Sequence, residues 1–245
     1  MSASRTIEVV PPADLFHTAA EEFVRIGKAA IAARRKFTVA LSGGSTPRSL
    51  YATLGKEHKR FSWDQTFLFF GDERHVPPDH AESNYRMVNE SLLTKIRIPA
   101  KNVYRVRAEN QDAHAAAAEY EDELRKFFEL KAEEFPRFDL ILLGMGPDGH
   151  TASLFPDSQA LKEQSRLVVA NWVEKFKAYR ITLTYPVLNH AAEAVFLVSG
   201  ADKADMIEQV LEASSTPPFP AQRVRPSEGR LLWLLDEAAA ARLTC

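Results

Sequence analysis

Two residues in one short stretch can do proton chemistry together. In LILLGMGPDGHTASLFP (140–156) a run of aliphatic residues turns into glycines, and Asp148 and His150 stand two positions apart among them. Histidine gains and loses a proton near neutral pH, and a carboxylate beside it can fix its ring. Glycines permit backbone angles that other residues resist, so such a loop can aim the imidazole. The plainer alternative is a histidine held for structure alone. Gly144, Gly146 and Gly149 also spell G-x-G-x-x-G after a predicted strand, the pattern of a dinucleotide-binding turn. The context argues against that reading. Pro156 leaves no room for a long helix, Asp148 would face a pyrophosphate, and the next strand ends in Asn171-Trp172 without a ribose-binding acid.

Three further polar stretches carry candidate chemistry. SGGSTP (42–47) sets Gly43, Gly44, Ser45 and Thr46 between a strand and a helix start. Backbone N–H groups there, with the helix dipole behind them, suit a monophosphate. No lysine follows as a nucleoside triphosphate loop requires, and the same residues would also serve as a helix-capping turn. SGADK (199–203) repeats the logic: Lys203 falls in a first helical turn, where a cation is disfavoured unless an anion binds. A solvated surface lysine is the alternative there. GDERHVPPDHAESNYRM (71–87) offers Asp72, Glu73 and Arg74. Arg74 can hold a phosphate or steady charge on a reacting oxygen, and a carboxylate can orient a partner or act as base. His75, Asp79 and His80 match no zinc spacing, so no metal is expected. A Ser-His-Asp hydrolase using Ser42 or Ser45 would lack the G-x-S-x-G elbow.

The elements that must position these loops are legible as alternating periods. Strands are predicted at 6–10, 37–44, 66–74, 102–106, 138–146, 166–172, 179–185, 194–200 and 230–236. Helices are predicted from Asp14 to about Ala33, from Thr46-Pro47 onward, over 84–94, over 112–131 and over 201–213. The linker 215–229 is proline-rich but too short to divide domains. Strands apolar on both faces, alternating with helices, imply an α/β fold: one doubly wound, mostly parallel sheet with helices on both faces, in a single domain over 1–245. Ligands of such sheets bind beyond the carboxyl ends of the strands, where all four loops fall.

The chain holds 31 Lys and Arg against 33 Asp and Glu in 245 residues, a net charge of −2 that gives no reason to expect nucleic acid or a membrane as partner. Its one cysteine, Cys245, excludes an internal disulfide. No apolar run approaches the ~18 residues of a membrane span, and MSASRTIEVVPPADLF lacks the apolar core of a signal peptide. A cytoplasmic protein, monomeric or a small homo-oligomer, is expected.

LSGGSTPRSLY, GDERHVPPDHAESNYRM, LILLGMGPDGHTASLFP, RITLT (180–184) and VSGADKADMI (198–207), in this order and spacing, resemble the glucosamine-6-phosphate isomerase/6-phosphogluconolactonase family, on its lactonase side. The resemblance implies a Rossmann-like fold of the glucosamine-6-phosphate deaminase type. It implies hydrolysis of 6-phospho-D-glucono-1,5-lactone to 6-phospho-D-gluconate, a step of the oxidative pentose phosphate pathway, with a phosphorylated sugar lactone as partner and no cofactor. On that resemblance His150 is the general base, Asp148 positions it, and Arg74 stabilises oxygen charge or the phosphate. Gly43, Gly44, Ser45, Thr46, Arg180 and Lys203 hold the phosphate, and Asp72 matches the position of the deaminase base. The deaminases continue their histidine loop through Ile-Ala-Phe-Asn-Glu-Pro, where this chain has TASLFP without the glutamate. Deamination with isomerisation, and non-catalytic sugar-phosphate sensing, are the alternative activities.

Overall fold

In the computed structural model, residues 5–213 and 216–244 are described. Cys245 and the first four residues, on which the disulfide and signal-peptide readings bear, lie outside them, as does Ser215 of the linker. The strands are β1 (Arg5–Val10), β2 (Phe37–Leu41), β3 (Thr66–Phe70), β4 (Asp72–Arg74), β5 (Leu140–Leu143), β6 (Val168–Val173), β7 (Ala178–Leu183), β8 (Glu193–Val198) and β9 (Arg230–Asp236). Six of them form a wholly parallel sheet in the order β1-β9-β8-β5-β2-β3. β2 and β5 are buried at every position, as a central strand covered on both faces must be. The sheet agrees with the doubly wound α/β expectation.

The helices are α1 (Leu15–Arg34), α2 (Ser45–Glu57), α3 (Asn84–Ser91), α4 (Ala113–Phe127), α5 (Tyr185–Leu188) and α6 (Ala204–Leu211). α1 forms because Leu15, Ala19, Phe23, Ile26 and Ala30 recur on one face, and all five are buried. Phe23 meets Phe37 of β2 edge-on at 5.1 Å and Trp63 at 5.8 Å. α4 starts where Asp112 accepts a hydrogen bond from the His114 amide at 2.8 Å. The crossover through α2 carries the chain outward from β2 to β3, and the chain returns on the other side of β2 as β5. The carboxyl ends of β2 and β5 therefore mark a topological switch point, where loops diverge and leave a crevice.

Four of the predicted strands, one of them only in its last residues, differ from the observed sheet. Residues 71–74, 166–172 and 179–185 do not extend the parallel sheet: β4, β7 and β6 form a separate antiparallel sheet in that order. Only residues 174–177 separate β6 from β7, too few for a parallel crossover, so a hairpin is the one solution. β4 follows β3 after Gly71 alone, and the chain changes sheets there. Gly71 still donates to Leu41 O, at 2.8 Å, and accepts from the Leu183 amide, at 2.9 Å, so it joins the two sheets. The segment 102–106 is not a strand; it meets β3 in one bridge, Val103 to Leu68, after which Arg105 turns to Glu109. The α6 region begins as a 3-10 turn at Ala201–Lys203, so the α-helix proper starts after Lys203.

The buried carboxylate of Glu73 ties β4 to α3. Its Oε1 accepts from the amides of Arg74 (2.8 Å) and Asn84 (2.7 Å), and its Oε2 from the Tyr85 amide (2.8 Å) and Ser83 Oγ (3.1 Å). Glu73→Ala leaves these donors buried and unpaired, and is expected to lower unfolding stability by about 3 kcal/mol or more in urea titration. An effect below about 1 kcal/mol would contradict this role.

Candidate active site

The four polar loops meet at the switch point. One cleft of about 220 Å³ is lined by Gly43, Gly44, Ser45, Thr46, Asp72, Arg74, His150 and Lys203, which lie in four separate stretches of the sequence. Asp148 lies behind His150 and Arg180 beside Arg74; neither lines the cleft.

The SGGSTP loop leaves β2 with its first residue clamped. Tyr51 of α2 accepts from the Ser42 amide at 2.9 Å and donates to Ser42 O at 2.8 Å. Burial pushes the Tyr51 hydroxyl far above the usual phenol range, so it remains a donor. A Cβ on Gly43 would stand 2.1 Å from Asn84 Oδ1, so only glycine lets α3 approach this loop. Gly44 caps α2, and no side chain caps the helix. Ser45 and Thr46 are thus not a capping pair; the first-turn amides and both hydroxyls are available to an anion.

At the end of β5, His150 Nδ1 bonds Asp148 Oδ1, and the His150 amide also donates to that oxygen at 3.3 Å. A carboxylate only accepts, so in the neutral ring Nδ1 carries the proton and Nε2 is the basic nitrogen. No residue among those described bonds Nε2. Burial opposes ionisation of Asp148, but the His150 bonds and Lys175 Nζ, 3.6 Å from Oδ2, outweigh it and bring the carboxyl to about 2. Phe155 stacks on the imidazole at 4.0 Å. A Cβ on Gly146 would lie 2.0 Å from His150 Cε1, so this glycine exists to admit the ring.

Arg74 donates from Nη1 to Glu82 O at 2.7 Å. It faces Arg180 directly across the β4–β7 ladder, which sets the two cations side by side. Burial, and then the Arg74 charge, pull the Arg180 guanidinium below its usual value, and no ion pair serves it among the described residues. Asp72 is buried between donors: Ser153 Oγ reaches Oδ2 at 2.6 Å, and Asn84 Nδ2 reaches Oδ1 at 3.2 Å and the Asp72 carbonyl at 2.9 Å. Lys203 Nζ is 3.1 Å from Asp202 Oδ2, which eases the expected conflict with the helix dipole. Its loop hangs on Asp236, which accepts from Ser199 Oγ (2.5 Å) and the Gly200 and Ala239 amides (3.1 and 2.7 Å).

Tyr51, Asn84, Ser153 and Asp236 were not among the sequence candidates; Tyr51 reads as an ordinary apolar helix position and Asn84 as a helix start. His75 and His80 serve the loop itself, through Asn110 O (2.6 Å) and the Glu82 amide (3.2 Å). Among the described residues no group of three His, Cys, Asp or Glu is placed to hold a metal ion, and no helix is long and apolar enough to cross a membrane.

Fold and site together define an α/β protein whose switch-point crevice holds an uncapped helix start, Arg74, Lys203 and an oriented histidine. Residues 11–233 match the family described as glucosamine-6-phosphate isomerases/6-phosphogluconolactonase. A 6-phosphogluconolactonase of Nostoc is 43% identical over 88% of this chain and 88% of its own length. The human 6-phosphogluconolactonase is 41% identical over 86% of this chain and 83% of its own. The solved 6-phosphogluconolactonase of Trypanosoma cruzi superimposes with a TM-score of 0.89 at 34% identity, covering 100% of this chain and 99% of that one. The chain belongs to the glucosamine-6-phosphate isomerase/6-phosphogluconolactonase family.

The depressed Asp148 carboxyl carries a stability prediction. Its contribution is complete well above the ordinary value of 3.8 and is lost as pH falls through about 2. Asp148→Asn is therefore expected to be less stable than wild type at pH 7, with the gap narrowing by about half near pH 3. Urea unfolding at both pH values measures it, and a gap independent of pH would contradict the assignment.

Proposed function

We propose that this protein is a 6-phosphogluconolactonase, a carboxylic ester hydrolase that opens 6-phospho-D-glucono-1,5-lactone to 6-phospho-D-gluconate in the oxidative pentose phosphate pathway. The observation that carries the reading is that His150, oriented by Asp148, lines the same crevice as an uncapped helix start, Arg74 and Lys203. The high identity to lactonases over most of the chain supports it. A single domain acting in the cytoplasm, without cofactor, is part of the proposal.

His150 Nε2 takes a proton from water as the water oxygen bonds to C1. The carbonyl electrons move onto oxygen, and Arg74 stabilises that charge. The C1 to ring-oxygen bond then breaks, the imidazolium returns its proton to the leaving oxygen, and the acid product ionises to the carboxylate. Asp148 holds the imidazole and stabilises its charged form. The amides and hydroxyls of Gly43, Gly44, Ser45 and Thr46, with Lys203 and Arg180, bind the phosphate. Asp72, fixed by Ser153 and Asn84, acts as counter-charge to the arginines rather than as base. A positioned base contributes ~10²–10⁴-fold, which suffices for an ester that water already hydrolyses slowly.

The test follows loss of freshly generated 6-phosphogluconolactone, with the uncatalysed rate subtracted. His150→Ala is expected to lower kcat by ~10²-fold or more with the fold intact; near-normal kcat would remove His150 from the mechanism. Lys203→Ala is expected to raise KM for the phosphorylated lactone far more than for glucono-1,5-lactone, and equal effects would remove its phosphate contact. Ammonia release from glucosamine 6-phosphate without lactone hydrolysis would overturn the reading in favour of a deaminase.

A further inference from the structure

The tip of the β6–β7 hairpin carries an aromatic ring with no role in the core. Phe176 is 46% exposed, one of three large apolar side chains so exposed among the described residues. The Arg180 guanidinium lies over its face, 5.1 Å from the ring centroid. Arg180 itself is 8% exposed and has no hydrogen-bonded or ionic partner for its side chain among the described residues. A guanidinium has five donors in a rigid plane, and its usefulness to a phosphate depends on how that plane is held. Arg74, opposite it on the neighbouring strand, repels it and supplies no restraint. Asp72, Glu82 and Glu73 attract it through space without a direct bond, and the Phe176 face is the ring packed against its plane.

The ring is itself seated. Its edge meets Phe155 at 5.8 Å, and Phe155 stacks on His150 at 4.0 Å. The adjoining Lys175 reaches Asp148 Oδ2 at 3.6 Å, so the same turn touches the carboxylate that orients the histidine. The turn is held with Lys177 in the left-handed region, at φ 47°, a conformation that costs a non-glycine residue energy. One hairpin tip therefore touches both Arg180 and the carboxylate that orients His150.

We propose that Phe176 is a positioning residue for phosphate recognition: its ring face fixes the plane of the Arg180 guanidinium, and its seat on Phe155 sets that plane relative to His150. The inference rests on the assignment of Arg180 to the phosphate. A cation over a ring face within about 6 Å contributes enough to change affinity several-fold, more where water is excluded.

Calorimetric titration of the full chain with 6-phosphogluconate, and with gluconate as the unphosphorylated comparison, tests it without depending on turnover. Phe176→Ala and Phe176→Leu are expected to raise Kd for 6-phosphogluconate roughly 5–20-fold. Phe176→Tyr, which keeps the ring face, should stay within about twofold, as should Trp172→Ala, an equally exposed aromatic of the same hairpin that meets Tyr179 edge-on instead. Gluconate binding should change little in all four. Leu matching Tyr would reduce the contact to plain apolar packing and overturn the proposal, as would an unchanged Kd in Phe176→Ala. Failure of the wild-type chain to bind 6-phosphogluconate at all would instead remove the sugar-phosphate reading on which the inference stands.

Discussion

The site depends first on the way one buried carboxylate collects donors. Glu73 gathers three backbone amides and a serine hydroxyl, and those donors belong to both a strand and a helix. By closing the 71–87 loop onto itself, it fixes Asp72 and Arg74 on β4 and brings Asn84 against Gly43. Without that knot the β4 segment would be a charged loop with no reason to keep its side chains in the crevice. Two of the accepted amides are the first of α3, so the carboxylate also sits where a helix dipole favours negative charge.

The crevice then runs on unequal charge. Arg74 and Lys203 line it from different strand ends, and Arg180 stands beside Arg74 just outside the lining. Asp72 offsets part of this, but both of its oxygens already accept bonds from Ser153 and Asn84. Cations gathered without full neutralisation cost the fold something, and perturbed charges of this kind cluster at functional sites. The negative group Asp148 is kept on the far side of the imidazole, where it acts on Nδ1 and stands outside the crevice lining.

The parallel sheet and the four strand-end loops were legible because each depends on local pattern: aliphatic runs of strand length, then glycine and hydroxyl residues, then helical periodicity. The histidine loop could be read chemically because Pro156 and the missing acid near Trp172 excluded a dinucleotide turn. The second sheet was not read, although the four residues between β6 and β7 signal a hairpin; apolar runs alone do not reveal which sheet a strand joins. Asp236 and Ser153 are silent in the sequence for a different reason. Each acts on a partner 36 to 81 residues away, and no spacing in a single sequence marks such a pair. Tyr51 looked apolar because its ring is; what its hydroxyl does follows only from where β2 ends.

That hydroxyl has a twin. Tyr120 of α4 accepts from the Phe70 amide and donates to the Phe70 carbonyl at the end of β3, as Tyr51 does for Ser42 at the end of β2. Each phenol gives a strand terminus the two hydrogen bonds that another strand would have given it. The neighbouring strand ends from which the glycine loop and the Asp72–Arg74 segment depart are thereby locked by the core, whether or not a ligand is present. A ligand bound there would find these two strand ends already ordered, so fixing them would take nothing from its affinity. The crevice is a mould set before the casting, and its selectivity lies in shape and charge already in place.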